Sequence, residues 1–139
     1  MIERVLVPMD DSEMAKRALR YALEAHPDAD ITVLHSAGEP STMMGKATAL
    51  ALANDIEEAA QELAHEIFDD ARAIAAEYDR EVDTVLKIGH PTRQILDEAE
   101  NFDALVIGTH GGSIADRLLV GNVAETLFRR SPVPITVVR

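Results

Sequence analysis

The chain contains no cysteine. A disulfide framework, a thiolate nucleophile, an iron–sulfur cluster and a cysteine-based zinc site are thereby excluded, and redox chemistry would need a borrowed cofactor. Long hydrophobic runs are missing too. No apolar stretch has the length needed to span a bilayer, and Met1-Ile2-Glu3-Arg4-Val5 enters a strand at once, without a charged leader or an apolar signal core. A cytoplasmic location is therefore expected. Lysine is scarce, present only as Lys16, Lys46 and Lys87. With 13 basic against 25 acidic residues the net charge is −12, so neither nucleic acid nor a membrane surface is an expected partner. Such a surface suits a salty, halophilic cytoplasm in which counter-ions screen the repulsion, and equally an ordinary acidic soluble protein.

The 139 residues, 47% of them hydrophobic, form a single domain over 1–139, large enough to bury a core without disulfides or metal. Val5-Leu6-Val7-Pro8 reads as a first strand, followed by Asp10 and Ser12 as competent helix caps and by Met14, Ala15, Ala18, Leu19, Ala22 and Leu23 at helical spacing. Ile31 to His35 is a second strand, and Gly38 to Gly45 a loop containing Pro40. Ile56, Ala60, Leu63, Ile67, Ala71, Ile74 and Tyr78 mark a long helix. Val82 to Ile88 is a third strand, nearer an edge. Gly89-His90-Pro91 turns into a helix through Ile95, Leu96 and Ala99. Ala104 to Ile107 is the fourth strand, Gly121 to Arg130 the fourth helix and Pro134 to Val138 the fifth strand. Alternating strands and helices imply a parallel sheet covered on both faces, with ligands bound beyond the carboxyl ends of the strands where strand order reverses. The last strand has little to cover its edge, so a twofold homodimer joined through 134–139 is expected.

Gly108, Gly111 and Gly121 straddle the boundary between the fourth strand and the helix after it. Glycines there permit close approach of main chain to an anion, and the helix start favours negative charge; they are also common turn formers, and the spacing alone leaves both open. From Gly108 onward four arginines face two acids, the segment least hostile to a phosphate. Other motifs carry less. Gly45-Lys46-Ala47-Thr48 lacks the first glycine of a Walker A loop, since that position is Pro40, and His65-Glu66 lacks the second histidine of a metalloprotease helix. His35 reads as a packed or hydrogen-bonded histidine, His110 as a phosphate contact or a loop residue, and Asp10 as a helix cap or a contact to a ligand or metal.

Over essentially its whole length the chain resembles the universal stress protein family, in its ATP-binding branch. The likeness is carried by Val5-Leu6-Val7-Pro8 with Asp10 and Ser12, by Leu34-His35, by Gly89-His90-Pro91, by the three glycines, and by Ser131 to Val138. The family signature is Gly, two residues, Gly, nine residues, Gly, then Ser or Thr; here it becomes Gly108, Gly111, Gly121 and Asn122. The resemblance implies a Rossmann-like α/β sandwich whose five-stranded parallel sheet is ordered 3-2-1-4-5, with four helices on both faces. It implies that Gly108, Gly111, Gly121 and Asn122 hold the phosphates and ribose of ATP, with Mg²⁺ or Mn²⁺. Asp10 and Ser36 would line the adenine, and Pro8, Met9, Ile107, His110 and Val123 would complete the pocket. Asn122 departs from the pattern and implies an altered phosphate contact, because an amide donates from a longer arm than a hydroxyl and competes as a helix cap. The expected function is a nucleotide-binding stress or signalling module. In it, ATP changes the region from Gly38 to Ala53 and the dimer surface seen by a protein partner not identified by sequence. The alternatives are a slow metal-assisted ATPase and a stress-response dimer that has lost its nucleotide.

Overall fold

The computed structural model describes residues 1–37, 46–109 and 122–139, and for 46–56 and Asn122 the backbone alone. The described elements alternate: β1 (Arg4–Pro8), α1 (Glu13–Ala25), β2 (Asp30–Ala37), α2 (Lys46–Glu77), β3 (Asp83–Ile88), α3 (Pro91–Ala99), β4 (Ala104–Gly108), α4 (Asn122–Arg130) and β5 (Ile135–Val138). All pairings are parallel and the order is β3-β2-β1-β4-β5, the architecture expected above.

Alternation along each strand divides the core into two layers. Val5, Val7, Ile31, Val33, Ala104 and Val106 pack with Ala18, Leu19 and Ala22 of α1 and Ala64, Ile67 and Ala71 of α2. Leu6, Leu34, Leu105 and Ile107 face the other way, onto Ile95 and Ala99 of α3, Phe102, and Leu127 of α4. Burying one such Leu or Val side chain contributes roughly 1.5–3 kcal/mol. Both faces of the central strands are consumed in this way, so the ends of the strands are where main chain can meet a ligand.

Several boundaries differ from the sequence expectation. β2 runs on through Ala37 and β4 through Gly108, because β3 and β5 continue to pair with them there. Ser36 therefore lies inside a strand and Gly108 ends one. On α2 the expected core residue Leu63 is 40% exposed, while Ala64, Ile67, Phe68, Ala71, Ile74 and Ala75 form the buried seam. One residue rotates a helix by about 100°, so the adjacent small Ala64 takes the inward position. α2 stops in a Schellman turn: Asp79 takes a left-handed φ of 55°, Asp79 N donates to Ala76 O and Arg80 N to Ala75 O, each at 3.0 Å. The loop expected from Gly38 to Gly45 lies outside the described residues.

Candidate functional site

Pro8 ends the hydrogen-bonded pairing of β1 with β4. Asp103 N donates to Arg4 O on the β4 side, and Asp30 N to Glu3 O and Met9 N to Leu34 O on the β2 side. By alternation the main-chain nitrogen of Pro8 is turned to β4, where it has no hydrogen to donate. The paired register between β1 and β4 stops at Leu6↔Leu105, whereas β1 and β2 remain in register to Pro8↔Leu34. The crevice thus lies between the carboxyl ends of β1 and β4, where strand order reverses.

One wall is the loop from β1 into α1. Asp10 Oδ1 accepts from Ser12 N at 2.9 Å, and Ser12 Oγ accepts from Ala15 N at 3.2 Å. Of the two expected caps, Ser12 is the N-cap and Asp10 braces it in an Asx turn. Met9 is buried behind them, and its carbonyl is held by His35 Nδ1 at 2.8 Å. α1 presents the positive end of its dipole here.

The other wall is the end of β4. A Cβ on Gly108 would lie 3.0 Å from Met14 O and 3.1 Å from Met14 C, so the first turn of α1 rests directly on this glycine. The glycine was expected to make room for an anion; a side chain there would also need the backbone of α1 to give way by a few tenths of an ångström. Ile107 is buried beneath, and Thr109 N donates to Val138 O at 3.0 Å. Across β2, Ser36 Oγ donates to Gly89 O at 3.3 Å and Gly89 N to Ala37 O at 2.9 Å. The Ser36 hydroxyl is thus turned to the β3 side of β2. Gly89 has a φ of 144° and packs against Gln94, whose amide nitrogen a Cβ would meet at 2.6 Å.

Pro8, Met9, Asp10, Ile107 and Gly108 are gathered at the crevice by the ends of β1 and β4, with Ser36 at the end of the neighbouring β2. Val123 follows the first residue of α4 and is 49% exposed. His110, Gly111 and Gly121 lie outside the described residues, as does the Asn122 side chain. Met14 was expected only as a helix residue and Gly89 only as part of a turn, neither as a residue that shapes the site. The position of Gly89 between a strand and Pro91 was the available signal for the second, and none pointed to the first. His65, Glu66 and Asp69 lie exposed on α2, and no group of three His, Asp or Glu among the described residues is arranged to hold a metal ion.

Comparison with known proteins agrees with this geometry. The universal stress protein family matches residues 1–139. The chain belongs to that family. Among relatives of this universal stress protein, YxiE of Bacillus subtilis is 27% identical over 148 residues, covering 100% of both chains. The structure of UspA from Lactobacillus plantarum is similar with a TM-score of 0.82 and 23% identity, covering 99% of this chain and 98% of that one. The universal stress protein of Archaeoglobus fulgidus, solved in complex with dAMP, is similar with a TM-score of 0.67 and 22% identity, covering 100% of this chain and 98% of that one. Among the described residues no helix is long and apolar enough to cross a membrane.

Proposed function

We propose that this universal stress protein binds an adenine nucleotide, ATP in the first place, in the crevice between β1 and β4 and signals through the conformation that the nucleotide favours. The observation that carries the reading is the reversal of strand order between β1 and β4, with their backbone pairing ending at Pro8, the capped start of α1 on one side and Gly108 on the other. A helix N-terminus and main-chain donors suit phosphate, and the part-buried Asp10 suits an adenine amino group or ribose hydroxyl. The dAMP of the Archaeoglobus relative supplies the same chemical elements, an adenine and a phosphate. Gly111, Gly121 and Asn122 would add the remaining phosphate contacts, and Mg²⁺ or Mn²⁺ would enter with the polyphosphate. Binding energy shifts the protein only to the extent that the nucleotide prefers one state, and the partner that reads this state would do so at the dimer surface or at 38–53.

The test is co-purification followed by calorimetry. Denaturing the purified protein and chromatographing the released small molecules is expected to yield adenine nucleotide, and the emptied protein is expected to bind ATP or AMP. No released nucleotide and no heat of binding would mean that the family fold is kept without its ligand. Single-turnover hydrolysis with and without divalent metal separates a binding module from a slow ATPase.

We further propose the homodimer through β5, paired by the main-chain groups that β5 turns away from β4. Pro134 O and Val138 O accept from Leu105 N and Thr109 N, so the main-chain groups of Ile135 and Val137 point away from β4. Antiparallel pairing about a twofold axis would use these outward groups of Ile135 and Val137. Val137 is 38% exposed and Phe128 of α4 64%. Val137→Pro removes an outward donor and leaves the β4 ladder intact, so it is expected to give a folded monomer by light scattering. A dimer unchanged by Val137→Pro would place the interface elsewhere.

A further inference from the structure

We infer that His35 is a positioning residue for the nucleotide site, setting the Met9–Asp10 peptide and through it the wall of the crevice that carries Asp10. The inference rests on the nucleotide reading above. His35 is a buried polar residue, 8% exposed, and shares the face of β2 that packs beneath α1 and α2. A residue in that layer would ordinarily be apolar, like Ile31 and Val33 before it on the same face. Its Nδ1 lies 2.8 Å from Met9 O. A carbonyl only accepts, so Nδ1 carries the proton and the ring donates.

The carbonyl it holds is the critical one. Met9 lies one residue past the paired register of β1 with β2, at the point where the chain leaves the sheet for the crevice. Met9 N is fixed by Leu34 O at 2.7 Å and Met9 O by His35, so both polar groups of this residue are tied to consecutive residues of β2. Because the peptide is planar, fixing the Met9 carbonyl fixes the Asp10 N–H and Cα as well. Asp10 in turn accepts from Ser12 N, Ser12 caps α1 through Ala15 N, and the first turn so capped presses Met14 on Gly108. One side chain on β2 therefore sets the loop that forms one wall of the crevice and leads into the turn resting on the other. Without the imidazole the Met9 carbonyl would need a new donor, and the peptide would be free to rotate toward water.

Calorimetric titration of the full chain with AMP and ATP tests this, using His35→Asn and His35→Leu beside wild type. The amide nitrogen of Asn follows the same path of bonds as Nδ1 and restores the donor, whereas Leu fills the space and donates nothing. His35→Leu is expected to weaken binding about tenfold, the size of one lost hydrogen bond, and His35→Asn to stay within about threefold of wild type. A role confined to core packing would give the reverse order, because Leu is the better apolar filler. Two readouts in the ligand-free protein accompany the titration: ring ¹H–¹⁵N correlation is expected to show Nδ1 protonated, and exchange of the Asp10 to Ser12 amides is expected to quicken in His35→Leu. Equal affinity of the Leu variant and wild type, or Asn binding as poorly as Leu, would overturn the inference. If wild type binds no adenine nucleotide the functional reading falls by itself, and the ring tautomer and amide exchange still decide the positioning. Should His35→Leu not fold, His35→Asn and the tautomer decide, a ring protonated on Nε2 alone being the contrary result.

Discussion

The two ends of the parallel sheet are held by different chemistry. At the amino ends of the strands, charged side chains are spent on main chain far away in sequence. Asp103 Oδ2 accepts from Glu3 N at 2.9 Å and Arg4 N at 3.0 Å, and Arg4 Nη1 donates to Asn101 O at 2.8 Å while its guanidinium lies 4.7 Å over the Phe102 ring. Arg80 donates to Leu23 O at 2.9 Å, His26 O at 3.0 Å and Ala29 O, closing the end of α1 and the turn into β2. At the carboxyl ends the links are made by the smaller side chains of Asp10, Ser12, His35 and Ser36, the first two within the loop into α1 and the other two across 26 and 53 residues. Charged groups that tie down carbonyls leave nothing for a ligand. Small polar groups that shape a loop leave the helix start and the strand ends facing outward. On the proposed function the first end serves stability and the second binding, and substitutions at each should separate the two properties.

Arg80→Ala is expected to have the largest effect. It withdraws a guanidinium from three carbonyls at the exit of α1, and the loss is about 3 kcal/mol, or roughly 10 °C in Tm for a chain of this size. Arg80→Lys should recover little of this, because one ammonium cannot span the fork of a guanidinium. Chemical denaturation measures the loss, and calorimetry on the folded fraction should find nucleotide affinity unchanged. A large change in affinity would mean that the two ends are coupled.

Gly108→Ala comes next and should move both properties. Its methyl would meet the Met14 backbone at 3.0 Å, and backbone cannot swing aside as a side-chain tip can. A cost of about 2 kcal/mol is expected, as for other overpacked sites, and the displaced first turn of α1 should weaken AMP binding several-fold. Stability lost with affinity intact would show that α1 yields without disturbing the crevice.

These two residues also mark how far the sequence could be read. The alternation of strands and helices was legible because buried strands and amphipathic helices leave periodic signatures, and the end of β1 was legible in Pro8 and Asp10. Arg80 and Asp103 were not. Their partners are carbonyls and N–H groups 51 to 100 residues away, and such pairs have no period. Gly108 was singled out for its relation to Gly111 and Gly121, yet the constraint visible on it comes from Met14, a contact made only once α1 docks on β4. Ser36 was expected just beyond a strand; pairing with Lys87 keeps it within one. The ends of β2 and β4 are set by the neighbouring strands, and their own residues do not encode them.

The smallest effect belongs to Asp103, and its dependence on pH gives it a distinct signature. The bond from Glu3 N–H, and next that from Arg4 N–H, hold its carboxyl below the ordinary Asp value of 3.8. Since the folded protein favours the charged form more than the unfolded chain does, the bonds contribute stability above the ordinary value, and this is lost as pH falls through the lowered one. Asp103→Asn keeps an acceptor oxygen without the charge. The denaturation midpoint of wild type is therefore expected to exceed that of Asp103→Asn by a small constant amount near neutrality, with the gap closing as the solution is acidified below pH 3.8. A gap that persisted unchanged into acid would assign the difference to geometry, and the contrast between the two ends of the sheet would then rest on Arg4 and Arg80.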